Sequence, residues 1–213
     1  MSERKTEMAK VSRRDVLITG ASAATILTSG CQLPGSGTPP RRIRLSAAEE
    51  FPPNLPSVAW TLLVQEPTTT LSLNTAKIAI GTADDIQYLT TGEWASRAPE
   101  MIMELIVQSF RNSNMILTVG DRRDRIRPDF DLQLRLSAFH IEKTAEDAGT
   151  VRVGLDTALI KRPHRDSLAT SAFESSAQVA PLSLDAVVAA FDASLREVME
   201  QVVEWALQTG AAA

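Results

Sequence analysis

Cys31 is the single cysteine of the chain, and its neighbours prepare it for chemistry. It follows Leu27-Thr28-Ser29-Gly30, where small side chains let a peptidase reach the bond after Gly30. That pattern resembles a lipobox, in which the thiol takes up a diacylglycerol before cleavage, although Thr28 stands three places before the cysteine where an aliphatic residue is usual and Leu27 lies one step further out. Upstream stand Arg4, Lys5, Lys10, Arg13 and Arg14, then the uncharged stretch 16–30. This stretch is shorter than the ~18 apolar residues of a membrane-spanning helix. The order of basic, apolar and small segments therefore predicts a signal peptide over residues 1–30 and a lipidated mature N-terminus at Cys31. Ser12-Arg13-Arg14-Asp15-Val16-Leu17 is similar to a twin-arginine export signal, with general secretion as the alternative and the same compartment either way. Acyl chains at about 0.8 kcal/mol per buried methylene make such an anchor durable. With one thiol no intramolecular disulfide forms, so the fold must stand on its core.

Other residues capable of chemistry are sparse. There are two histidines, His140 and His164; the first ends an alternating run and the second sits in the Arg162-Pro163-His164-Arg165 turn. Neither has a cysteine left to join it as a metal ligand. The chain has no Gly-x-Ser-x-Gly elbow and no Walker loop, and Gly35-Ser36-Gly37 falls in a Pro/Gly-rich stretch. The sequence reads as non-catalytic, with no cofactor and no metal. Removing residues 1–30 takes away five basic and three acidic residues and moves the formal charge from −4 to −6. Nucleic acid is an unsuitable partner for such a balance. The densest charge cluster, Asp121-Arg122-Arg123-Asp124-Arg125-Ile126-Arg127-Pro128-Asp129, reads as a solvated loop with internal ion pairs, with a partner contact as the lesser alternative.

The elements that would carry these residues follow from periodicity. Residues 31–56 hold eight prolines and glycines with Arg41, Arg42 and Arg44 among them, and read as a lipidated tether before a single domain over 57–213. Trp60–Val64, Ala76–Ile80 and Met115–Val119 are short β-rich runs. From Phe130, apolar Leu132, Leu134, Leu136 and Ala138 alternate with Asp131, Gln133, Arg135 and Ser137. Val151, Val153, Leu155, Thr157 and Leu159 repeat the pattern, and residues 167–177 form a more polar partner. Three long consecutive strands predict an antiparallel meander with one wet face. One helix is expected from an N-cap at Ser96 to Arg111, burying Ile102, Leu105, Ile106 and Phe110. A second begins after Ser183, with Leu184, Val188, Phe191, Leu195, Val198, Val202 and Trp205 at helical spacing. The fold class is α/β (α+β): a mixed, largely antiparallel sheet with two main helices packed on it as a two-layer sandwich.

Tyr88 and Trp94 flank Thr90-Thr91-Gly92 and read as core or interface anchors. Trp205, near the Gly210-Ala-Ala-Ala tail, is the strongest candidate for an interface anchor, against a partner or a second copy of the chain.

The ordered set Trp60-x-Leu62-x-Val64-x-x-Pro67, Ile78-Ala79-Ile80, Tyr88-Leu89, Trp94-Ala95-x-x-Ala98-Pro99, Phe110, Ser113-Asn114-Met115-Ile116, Pro128-Asp129-Phe130-x-Leu132, Phe139, Ala189-Ala190-Phe191-Asp192-Ala193 and Glu204-Trp205 resembles the ABC-type transport auxiliary lipoprotein family. Phe130 stands where that family more often has tyrosine. The resemblance implies a non-catalytic lipoprotein accessory to a lipid-moving ABC system, whose partners are a permease, an ATPase and a protein of the mammalian-cell-entry (MCE) type. Two roles fit: an adaptor that docks the MCE-type protein at a membrane, or a periplasmic lipid carrier with an apolar pocket under the helices. An envelope hydrolase is a third, disfavoured by the missing triad. Gln32 after the lipidated cysteine, in place of an aspartate, favours the outer over the inner membrane.

Overall fold

The computed structural model describes residues 39–81, 85–163 and 166–213. Arg13, Arg14 and Gly30, expected in a signal peptide, the lipidation candidate Cys31 and the turn residue His164 lie outside them.

The alternating apolar runs become the sheet. Its strands are β1 (Arg41–Ile43), β2 (Val58–Val64), β3 (Lys77–Gly81), β4 (Ile86–Trp94), β5 (Ile116–Gly120), β6 (Phe130–Ala145), β7 (Ala148–Lys161) and β8 (Asp166–Val179). The helices are α1 (Ala98–Ser113) and α2 (Leu184–Ala211). The expected meander is present: β6 runs antiparallel to β7 from Phe130↔Lys161 to Ala145↔Ala148, and β7 runs antiparallel to β8. The opposite edge of β6 is divided. Its start pairs in parallel with β2 and its far part with β3, and Thr68 bridges to Arg135 between them. The rest of the sheet extends as β5 beside β2 and as β4 then β1 beside β3.

Both helices lie on one face of this sheet. α1 buries Ile102, Ile106 and Phe110 completely; Leu105 is only partly covered. Its N-cap is Arg97 without a side-chain cap, not Ser96, and Pro99 sits in the first turn, where a missing N–H costs nothing. α2 starts as expected at Ser183, whose hydroxyl accepts the Ala186 N–H at 3.3 Å. It buries more of its circumference than one stripe. Val187, Phe191, Leu195, Val198 and Val202 are covered, and so are Met199, Val203, Ala206 and Leu207, because the helix meets the sheet on one side and α1 on another. At the centre, Trp94, Phe139 and Phe191 form a ring cluster with centroids 4.8 to 5.3 Å apart, an arrangement that adds to simple burial.

The segment expected as the tether's second half is instead part of the domain. Arg41–Ile43 pairs in parallel with Gly92–Trp94, and Ile43, Leu45, Ala48 and Leu55 are buried. Both backbone groups of Ala48 are bonded by α1: its N–H donates to Ser109 Oγ at 3.0 Å and its carbonyl accepts from Asn112 Nδ2 at 2.8 Å. The Ser46 N–H donates to Asp192 Oδ1 of α2 at 2.6 Å, and Arg41 pairs with Asp185 at 2.6 Å. The prolines that read as a linker suit an extended strap across two helices equally well. The packed domain therefore includes the residues from Arg41 onward and does not start at residue 57.

Candidate functional site

Successive residues of a strand point to opposite faces, so burying Leu132, Leu134 and Leu136 under the helices sends Asp131, Gln133, Arg135 and Ser137 the other way. Their neighbours in register are Ile160, Ala158, Asp156 and, across the next gap, Thr170 and Ala172. A groove of about 750 Å³ runs over this face, with Gln133, Arg135, Asp156 and Thr170 on its floor and Gln65 and Glu66 at its side. Arg135 and Asp156 pair across the strands at 2.5 Å, so the floor offers amides, hydroxyls and a neutralised ion pair rather than a net charge.

At one end of the same face, the loop from β5 to β6 crosses β2. It is latched at both ends. The Asp129 N–H donates to the Thr61 carbonyl at 2.9 Å, and the Thr61 N–H donates to Asp129 Oδ2 at 2.8 Å. Arg123 donates to Asp121 at 2.8 Å and to Glu104 of α1 at 3.1 Å. The Arg123 hydrogen bond holds the Asp121 carboxyl below its ordinary pKa against the opposing effect of burial. The expected internal ion pairs are thus present, and they extend to α1. Asp131, at 1% exposure, pairs with Arg162 at 2.6 Å through Oδ2, while its Oδ1 has no partner.

The three aromatic interface candidates are not brought together. Trp94 is 2% exposed and belongs to the central ring cluster. Of the core and interface readings open for it, Trp94 takes the core one and is no interface candidate: residues 90–92 beside it belong to strand β4, and pairing with β3 and β1 turns the indole inward. Tyr88 is half-buried; its hydroxyl donates to the Ser72 carbonyl at 3.1 Å, and the Lys77 ammonium sits 5.5 Å from its ring centroid. Trp205 is half-buried and meets Phe173 of β8 edge to face at 6.0 Å. The helix continues six residues beyond it to Ala211, so its surroundings are ordered.

His140 lies within β6, where burial pushes its imidazole pKa down, with Glu142 opposing and Arg152 adding to the shift. Among the described residues no three His, Cys, Asp or Glu side chains are placed to hold a metal ion. Among them, also, no helix is long and apolar enough to cross a membrane.

Comparison with known families gives one match over most of the chain: residues 44–203 fit the model of the ABC-type transport auxiliary lipoprotein component. The chain belongs to that family. Its start at residue 44 agrees with the strap's membership of the domain. An uncharacterized protein of Bradyrhizobium diazoefficiens is 22% identical over 176 residues, which cover 82% of this chain and 47% of that one. The chain thus spans about half the length of the curated relative it matches. Among solved structures, protein XCC0632 of Xanthomonas campestris superposes with a TM-score of 0.74 at 23% identity, covering 80% of this chain and 97% of that one. A second, described only as an uncharacterized protein, gives 0.56 at 12% identity over 78% and 97%. These likenesses establish that the auxiliary-lipoprotein fold is shared.

Sequence reasoning missed β1, β4 and the strap. It also read Arg122, Arg125 and Arg127 as members of an internally paired loop, although they make no ion pair among the described residues. A signal for them was present: four arginines against three aspartates within nine residues, so local pairing leaves guanidinium in excess.

Proposed function

We propose that this family member is a non-catalytic adaptor of an MCE-type lipid ABC transporter. It is anchored through acylated Cys31, faces the periplasm from the outer membrane and acts by docking to the MCE-type protein and its permease and ATPase. The observation that carries the reading is the family match over residues 44–203 on a domain whose helix-to-sheet space is filled. A carrier would need an apolar chamber there, and Trp94, Phe139, Phe191, Ile106, Val198 and Leu195 occupy it. That filling favours docking over carriage. The grooved outer face of the meander is the surface this role would use, since its polar floor leaves backbone and side-chain groups for a partner to bond.

Affinity purification of the full-length lipoprotein from native membranes after mild crosslinking tests the role. Enrichment of a permease, an ATPase and an MCE-type protein is the expected result. Recovery of the intact lipoprotein without any of the three refutes it. Lipid extraction from the same preparation separates adaptor from carrier: stoichiometric phospholipid retained after detergent exchange would favour the carrier.

A further inference from the structure

The β5–β6 loop passes beside Leu63 on the face turned away from the helices and leaves a shallow, open pocket of about 530 Å³, lined by Leu63, Arg122, Arg125, Ile126, Arg127 and Arg162 among others. Its volume falls in the roughly 300–1,000 Å³ range of small-molecule sites. We propose that this pocket binds the phosphate of an anionic lipid headgroup.

Charge accounting is the first support. Four carboxylates lie between Asp121 and Asp131, and each is engaged. Asp121 holds Arg123 at 2.8 Å, and Asp124 takes the Asp121 N–H at 2.9 Å and lies 3.8 Å from Arg111. Asp129 takes the Thr61 N–H at 2.8 Å, and Asp131 holds Arg162 at 2.6 Å. Among the described residues Arg122, Arg125 and Arg127 make no ion pair and no side-chain hydrogen bond. Three uncompensated guanidiniums thus share one pocket on a chain whose overall charge is negative. Their planar forks match phosphate oxygens in pairs, which makes phosphate a better fit than a halide or a single carboxylate.

The lining between those arginines gives the second support. Leu63, Ile126 and Pro128 are half-buried there. An inorganic anion gains nothing from such a floor, whereas the glycerol and first methylenes of a lipid do. The rim is also pre-set. Arg125 adopts a left-handed backbone with φ 53, and the Arg123 bonds to Glu104 and Asp121 fix the loop on α1. Less ordering then remains for a ligand to impose.

The inference goes beyond the docking role and fails separately from it, because docking is read by copurification and the pocket by direct binding. The probe is the mature chain, from residue 31 onward with Cys31→Ser, so that neither the basic, apolar segment 1–30 nor an acyl anchor contributes, sedimented with vesicles. One set is pure phosphatidylcholine and the other contains phosphatidylglycerol; inorganic phosphate is titrated separately by calorimetry. The expected result is partition onto phosphatidylglycerol vesicles about tenfold or more stronger than onto phosphatidylcholine, weakening as salt is raised. Arg122→Gln with Arg125→Gln and Arg127→Gln should bring it to the phosphatidylcholine level at an unchanged melting temperature. Ile126→Ser, which keeps every charge, should weaken it too; full retention there would assign the effect to diffuse surface charge and overturn the pocket. Equal partition onto both vesicles, an unaffected arginine variant, or inorganic phosphate bound more tightly than phosphatidylglycerol vesicles would also overturn it.

Discussion

Replacing Phe191 by alanine probes the centre of the fold. Phe191 is completely buried, with the Phe139 ring 4.8 Å and the Trp94 ring 5.1 Å from its own. It comes from α2, and its partners come from β6 and β4, so its truncation opens a cavity where three elements meet. Phe→Ala at such a site costs about 3–5 kcal/mol. A domain of this size has an unfolding entropy near 2 cal/mol/K per residue, so the melting temperature should fall by about 10 °C. Trp205→Ala is the matched control. Its ring is half-exposed and has one aromatic neighbour, Phe173 at 6.0 Å, so about 1–2 kcal/mol is expected. Thermal unfolding of the purified chains followed by circular dichroism reads both. Phe191→Leu, which refills most of the volume, should recover most of the loss. A drop for Trp205→Ala equal to that for Phe191→Ala would show that the terminal tryptophan is core, and an unchanged Phe191→Ala would refute the placement of the ring cluster.

Three further outcomes are expected. Cys31→Ser should abolish incorporation of a clickable fatty acid, which marks the wild-type chain alone; a labelled serine variant would defeat the lipidation assignment. Ser183→Ala removes the α2 cap at 3.3 Å from the Ala186 N–H and should cost about 1 kcal/mol, read as a lower urea midpoint at unchanged slope. Burial lowers the His140 pKa from its ordinary 6.5, so the unfolded chain takes up that proton before the folded one. Stability should therefore decline as pH falls below 6.5 toward the folded value. His140→Gln should flatten this part of the profile; an identical decline in the variant would remove His140 from the account.

The long strands and both helices were legible in the sequence because their signals are local. Leu132, Leu134 and Leu136 alternate whatever lies beside them, and Phe191, Leu195, Val198 and Val202 keep helical spacing without knowledge of a sheet. Ser183 caps α2 through a hydroxyl three residues from its partner.

What the tertiary structure alone decided depends on contacts far apart in the chain. Trp94 read as either a core or an interface anchor beside a bend, and the choice of core follows from β1 and β3 on either side of β4 and from Phe191 almost a hundred positions later. The strap from Arg41 to Leu55 looked like a linker because proline and glycine mark extended chain, and extended chain is free or pinned according to what it lies against. Ser109 and Asn112 of α1 and Asp192 of α2 make it part of the domain. The arginines of the β5–β6 loop were visible as charges, but which were spent and which remained was set by Glu104, Arg111 and Arg162, none of them within the loop. Periodicity fixes which side of an element is apolar; only the assembled sheet determines what that side meets.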